Sequence, residues 1–145
     1  MTNKKMTNKN IHTFPIRIYY EDTDAAKIVY YANYLKFAER ATTEALRQSG
    51  IDQSALFNEH KIGFVVRRCI VDFFKPAKLD DLLTIETHLH DISKVSMNMM
   101  QYIKRGNEIL VEIEVKLAVV GEDMKLAKLP DFVQKAMVRI FYNKD

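Results

Sequence analysis

The segment Tyr19-Tyr20-Glu21-Asp22-Thr23-Asp24-Ala25-Ala26-Lys27-Ile28-Val29-Tyr30-Tyr31-Ala32-Asn33-Tyr34 sets three carboxylates at the close of an extended run. A tyrosine-rich, apolar stretch follows, and it ends where helical periodicity begins. Backbone N–H groups in the first turn of a helix have no intrahelical acceptor and carry the positive end of the dipole, so they can hold a developing oxyanion. A carboxylate beside such donors suits attack on an acyl carbonyl. Asp22, Thr23 and Asp24 equally fit the simpler role of turn and capping residues, for which Asp-x-Asp is a common pattern.

The elements that must position these residues can be read from periodicity. Pro15 to Glu21 alternates as a strand, with Ile16, Ile18 and Tyr20 on one side. From about Ala32 to Gln48 the period is helical, with Tyr34, Leu35, Ala38, Ala41, Thr42, Ala45 and Leu46 on one face and Gly50 as the stop signal. Its three alanines allow a sheet to approach the helix closely. After a polar connection come four strand-like runs, at about Ile62 to Phe74, Leu82 to His90, Lys94 to Lys104 and Ile109 to Val120, the last two joined by a turn at Arg105-Gly106-Asn107-Glu108. An apolar helical stripe from Pro130 to Phe141 closes the chain. One strand, a long helix, then four strands without helices between them is an α+β order with an antiparallel sheet. Such a sheet keeps open edges, which predicts a homodimer joined edge to edge or a homotetramer.

At 145 residues the chain has the size of one domain, and 48% hydrophobic residues provide for a core. Residues 1–14, polar and lacking the apolar stretch of a secretory signal, are expected to form a disordered tail ahead of a single domain at 15–145. Lys and Arg exceed Asp and Glu by 22 to 19, too small an excess for a nucleic-acid binder. No apolar run reaches the roughly 18 residues of a membrane span. The single cysteine, Cys69, excludes an internal disulfide and a multi-thiolate metal site. It reads as a packed mid-strand thiol in a cytoplasmic protein. His88 and His90, two apart on one strand, have no third ligand at suitable spacing, so no metal and no cofactor is expected.

Tyr-Glu-Asp-Thr-Asp followed by Val-Tyr and Asn-Tyr, then Phe64-Val65-Val66-Arg67-Arg68 and Pro76-Ala77-Lys78-Leu79-Asp80-Asp81, resembles the hot-dog-fold acyl-CoA thioesterases of the YbgC type, relatives of 4-hydroxybenzoyl-CoA thioesterase. The likeness runs from about Ile16 to Pro130. It implies a five-stranded antiparallel sheet wrapped around the long helix, with the short C-terminal helix added. It also implies hydrolysis of an acyl-CoA to free acid and coenzyme A. Asp24 matches the catalytic carboxylate, a general base or a nucleophile, and Tyr31 the position whose backbone N–H polarises the thioester carbonyl. Val29, Tyr30 and Tyr34 are expected substrate contacts; Lys27 reads either as a solvated loop lysine or as a contact for an anionic substrate group, and Arg67 and Arg68, with Lys75, Lys78 and Lys94, either as exposed strand-end charges or as contacts for coenzyme A phosphates. Acyl-carrier protein is the alternative carrier.

The chain departs from this pattern at two places. Tyr31 stands where close relatives have His, and Ala26-Lys27 where they have Gly-Gly or Ala-Gly. A lysine there that must adopt positive φ costs on the order of 1 kcal/mol. These departures motivate a second reading from another class, a non-catalytic module that binds acyl thioesters or acyl-carrier protein in envelope lipid metabolism. Met97, Met99 and Met100 fit core filling, with an adaptable acyl pocket as the alternative.

Overall fold

The structure, a computed structural model, describes residues 10–142. In chain order the elements are β1 (His12–Arg17), a single 3-10 turn (Tyr20–Asp22), α1 (Asn33–Gln48), α2 (Gln53–His60), β2 (Gly63–Phe73), β3 (Leu82–Ile92), β4 (Ser96–Arg105), β5 (Glu108–Val120) and α3 (Asp131–Tyr142). The strands form one antiparallel sheet in the order β1-β3-β4-β5-β2.

α1 lies on the inner face of this sheet. It buries Tyr34, Phe37, Ala38, Ala41, Ala45 and Leu46, and the alanines bring its backbone within reach of β4, where Gln101 Nε2 donates to Ala38 O at 3.0 Å. Leu35, expected on the buried face, is 45% exposed, and Phe37 takes its place at 1%. β3 and β4 present Leu83, Ile85, Leu89, Met97, Met99 and Ile103 inward in alternation, and β5 adds Val111 and Ile113, with Leu110 buried beside them. Met97 and Met99 are therefore core residues. α3 closes the far end with Val133, Met137 and Phe141, and Tyr142 Oη donates to the carbonyls of Leu89 (2.5 Å) and His90 (2.9 Å). Those carbonyls flank an irregularity in the β3–β4 ladder between Leu89 and Asp91.

Four expectations need correction. β1 begins at His12 and pairs from there with Thr87, so 12–14 belong to the sheet, whereas 1–9 lie outside the described residues. β1 also ends at Arg17: the chain bends into the 3-10 turn, and Tyr20 is 77% exposed. The polar connection contains α2, capped by Asp52, whose carboxylate accepts from Ser54 N–H at 2.9 Å; it buries only Leu56, too weak a stripe to show in the pattern. Cys69 is exposed rather than packed.

β2 is an edge strand of 11 residues with Val66 63% exposed and Phe73 50% exposed. Its ladder to β5 pairs Val66 with Leu117 and Arg68 with Lys116, leaving Arg67 as the extra residue of a bulge. The bulge resets the alternation, so Phe64 and Val66 before it and Cys69 and Val71 after it all face inward.

Candidate active site

The segment between β1 and α1 folds as a tight hairpin. Thr23 bridges Val29, Asp24 N–H donates to Ile28 O at 2.9 Å, and Lys27 N–H donates to Asp24 O at 2.9 Å. Lys27 closes this turn at φ 65, the left-handed conformation that hairpins of this type assign to glycine. The three carboxylates separate in role. Asp22 is structural: its Oδ2 accepts from Tyr19 N–H at 2.8 Å, and its carbonyl accepts from both Tyr30 N–H at 3.0 Å and Asn33 Nδ2 at 2.9 Å. One carbonyl thus fastens the hairpin and the start of α1 together. Asp24 is exposed; its Oδ1 accepts from Ala26 N–H at 2.8 Å, and its Oδ2 has no partner among the described residues. Glu21 is exposed on the 3-10 turn.

Ala32, at the N-cap of α1, offers no side-chain acceptor. Asn33 N–H donates back to Tyr30 O at 2.8 Å, while Tyr31 N–H meets no acceptor among the described residues. A backbone donor one residue ahead of the helix cap, not in the first turn as expected, and a carboxylate oxygen, both without a partner among the described residues, are therefore held on one hairpin–helix unit. Around them lies an aromatic rim: Tyr31 is 5.1 Å from Tyr30 and 6.1 Å from Phe73, ring centre to ring centre, and all three are exposed.

The unit is braced from below by the loop after β2. Val29 N–H donates to Ala77 O at 2.9 Å and Ala77 N–H donates to Tyr34 Oη at 3.0 Å, so one residue is gripped on both sides. Ile28 bridges Lys78. The loop is itself held by Arg105, which donates to Asp81 Oδ2 at 2.7 Å and Glu108 Oε1 at 3.0 Å, while Lys75 pairs with Glu108 at 2.5 Å. Asp81 Oδ2 also accepts from Lys78 N–H at 2.8 Å. These bonds favour the guanidinium and hold Arg105 above its ordinary pKa, and those from Lys75 and then Arg105 lower that of Glu108. Burial pushes the Tyr34 phenol up, against the opposing pull of Ala77 N–H.

Comparison with known proteins places this arrangement. The thioesterase-like superfamily model matches residues 19–137. The acyl-CoA thioesterase YbgC of Haemophilus influenzae is 41% identical over 128 residues, 88% of this chain and 94% of its own length. The acyl-CoA thioester hydrolase YbgC of an Escherichia coli O6:H1 strain is 40% identical over 135 residues, 92% of this chain and 98% of its own. The crystal structure of a probable thioesterase from Bartonella henselae superposes with a TM-score of 0.80 at 37% identity, covering 83% of this chain and all of that one. The chain belongs to the YbgC acyl-CoA thioesterases. It is a thioester hydrolase with the hot-dog architecture, and the binding-module reading has no observation of its own.

The remaining expected site residues of the thioesterase distribute unevenly. Lys27, Tyr30 and Tyr31 are exposed on the hairpin unit with Asp24. Val29 and Tyr34 are not surface contacts: at 4% and 3% exposure they are core residues, their polar groups spent on Ala77. Arg67 sits at the bulge, and Arg68 lies on the outer sheet face with Ile70, Glu114 and Lys116, across the sheet from α1. Phe73 and Arg105 were missed. The Phe73-Phe74 pair ahead of Lys75-Pro76 was a visible signal, whereas nothing in the pattern around Arg105 foretold its partners. Among the described residues no helix is long and apolar enough to cross a membrane, and His88 packs edge-on against Tyr102.

Proposed function

We propose that Asp24 and the Tyr31 N–H carry the hydrolysis of the acyl-CoA thioester. One observation supports this above others: Asp22 O ties the Asp24 hairpin to the start of α1, and each side of that tie ends in an unused group of the required kind. The thioester carbonyl accepts from Tyr31 N–H. Asp24 takes a proton from water as the water adds to the carbonyl carbon. The tetrahedral intermediate then expels coenzyme A thiolate, which takes up the proton, leaving the free acid. In the alternative route Asp24 Oδ2 attacks the carbonyl itself, coenzyme A leaves, and water opens the resulting anhydride. Either route uses the same two groups. Replacing His by Tyr at 31 leaves the backbone donor intact, so its consequence falls on the aromatic rim and the acyl group that rim meets.

Lys27 serves the anionic part of the substrate, and coenzyme A is the carrier the family assignment favours over acyl-carrier protein. The reaction takes place in the cytoplasm, as a lone reduced thiol fits. The exposed β2 edge, with Ile70 and Phe73 along it, is the surface for a second copy, giving a dimer or a pair of dimers. Thiol release from an acyl-CoA panel tests the assignment. Asp24→Asn should lose about 10²–10⁴ in rate, and equal rates for the two proteins would sink it.

A further inference from the structure

A groove opens between α1 and the β2–β5 edge and encloses about 340 Å³, within the range of small-ligand sites, roughly 300–1,000 Å³. Its walls are mostly apolar, with Leu35 on α1, Phe64 on β2 and Ile113 on β5, while Glu39, Thr43 and Gln53 also line it. A buried polar side chain interrupts them. Gln101 on β4 is 1% exposed. Its Nε2 donates toward Ala38 O at 3.0 Å and toward the hydroxyls of Thr42 and Thr87, each at 3.1 Å. The amide cannot be turned over, because an oxygen in that place would face the Ala38 carbonyl. Thr87 is the cross-strand neighbour of Gln101 on β3, and Ile113 is its neighbour on β5. With Nε2 committed to the Thr87 side and the helix, the other branch of the amide is directed toward Ile113 and the groove. No described residue donates to Oε1. Oε1 is not among the enclosed side-chain atoms left without a partner, where His12 Nδ1 stands alone among the described residues, so it keeps access to the groove that Gln101 lines; a hydrocarbon that covers it removes that access, whereas a hydroxyl supplies the donor.

We propose that Gln101 is a specificity-determining residue: Oε1 accepts a hydrogen bond from a hydroxyl carried on the acyl group that occupies the groove. The proposal rests on the reading that places the thioester carbonyl at Tyr31 N–H. Tyr31 lies just ahead of α1, which rises about 3 Å from Asn33 to Leu35, at the near end of the groove, and about 7 Å from Asn33 to Ala38, over Gln101. An acyl group polarised at Tyr31 thus enters past Leu35 and meets the amide oxygen further along the groove. A hydroxyl at that depth, on an alkyl chain or on a phenol, completes the polar cluster; a plain hydrocarbon leaves Oε1 unpaired.

The test is kcat/KM on two matched pairs, decanoyl-CoA against its ω-hydroxy derivative and phenylpropanoyl-CoA against its para-hydroxy derivative. The hydroxylated member should be favoured roughly three- to tenfold in at least one pair, which also tells alkyl from phenolic hydroxyls, and Gln101→Met should bring that ratio to one or below. Ratios of one in both pairs for the native chain, or a preference that survives in a folded Gln101→Met protein, would overturn the proposal. Gln101→Met also cuts the tie between α1 and β4, so a second measurement keeps the native glutamine. Cys69, the sole cysteine, lies on the groove wall. In Asp24→Asn, the hydroxylated thioester should protect Cys69 from maleimide at roughly three- to tenfold lower concentration than its plain counterpart. Equal protection, or none, would count against Gln101. Hydrolysis of all four thioesters at equal rates refutes the role of Gln101 and spares that of Asp24. Loss of no activity in Asp24→Asn refutes the catalytic assignment, and the native-chain ratios still report on Gln101.

Discussion

Lys27 holds a conformation that its side chain opposes, and removing the side chain should stabilise the fold. The residue sits at φ 65, closing the turn through its N–H to Asp24 O, and Leu79 N–H donates to its carbonyl at 3.4 Å. A left-handed L-residue costs roughly 1–2 kcal/mol. Glycine removes that term but loses about 0.5–1 kcal/mol more backbone entropy on folding, which leaves Lys27→Gly ahead by about 0.5–1 kcal/mol. For a chain of this size the gain is about 2 °C in Tm. Lys27→Ala is the decisive control, because it deletes the same charge and keeps the strain. Thermal and urea unfolding of the three proteins at one fixed concentration, needed if folding is coupled to assembly, should rank Gly above Lys and Ala together with Lys or below it. Should Lys27→Gly prove no more stable than Lys27→Ala, the strain argument is wrong. Kinetics on the same proteins separate the second role: if Lys27 meets an anionic substrate group, both variants raise KM by similar factors, with kcat little changed.

Tyr34→Phe strips the acceptor from the buried Ala77 N–H and should cost about 1–3 kcal/mol in urea unfolding; an unchanged midpoint would show that the grip on Ala77 is dispensable. Arg105→Ala releases the loop that carries Lys78 and Ala77, so kcat should fall more than KM changes, with partial recovery in Arg105→Lys. A uniform loss tracking unfolded protein would instead mark Arg105 as purely structural. Stability should also depend on His12, whose Nδ1 is buried without a partner among the described residues and whose pKa burial lowers from the ordinary 6.5 against the opposing pull of Glu44. The unfolded chain then binds the proton first, so the contribution of His12 to stability is full above about 6.5 and declines as pH falls from there through the lower folded value. His12→Met should flatten that limb of the stability profile, and an identical slope in both proteins would remove His12 from the account.

The order of elements was legible because the central strands alternate: Leu83 to Leu89 and Met97 to Ile103 sit where period two puts them, as do Val111 and Ile113, whereas a ladder irregularity between Ile103 and Lys104 leaves Ile109 exposed and buries Leu110. The place of Asp24 between a strand and the long helix was legible too, since polar cluster, tyrosines and helical period are consecutive in the chain, but the hairpin they fold into was not. What could not be read depends on contacts between distant residues. Nothing local distinguishes Tyr34, whose hydroxyl is held by Ala77, from Tyr30, which is exposed, and both were assigned to substrate. The bulge at Arg67 is likewise invisible in sequence, and it moves Cys69 from the expected packed position to the groove wall. α2 escaped notice because one buried leucine in eight residues makes no stripe.

The strand order also constrains how the polypeptide matures on the ribosome. β1 and β2 are the first strands synthesised, yet they occupy the two edges, and their pairing partners β3 and β5 are made later. β2 waits through more than 30 further residues for the strand it pairs with, carrying Val66, Ile70 and Phe73 unpartnered in the meantime. The last turn of α3 then supplies the hydroxyl that seals the carbonyls of Leu89 and His90. Nascent chains stalled before β5 should therefore be the aggregation-prone species, and a tag fused directly after Tyr142 would disturb the final closure rather than an idle end.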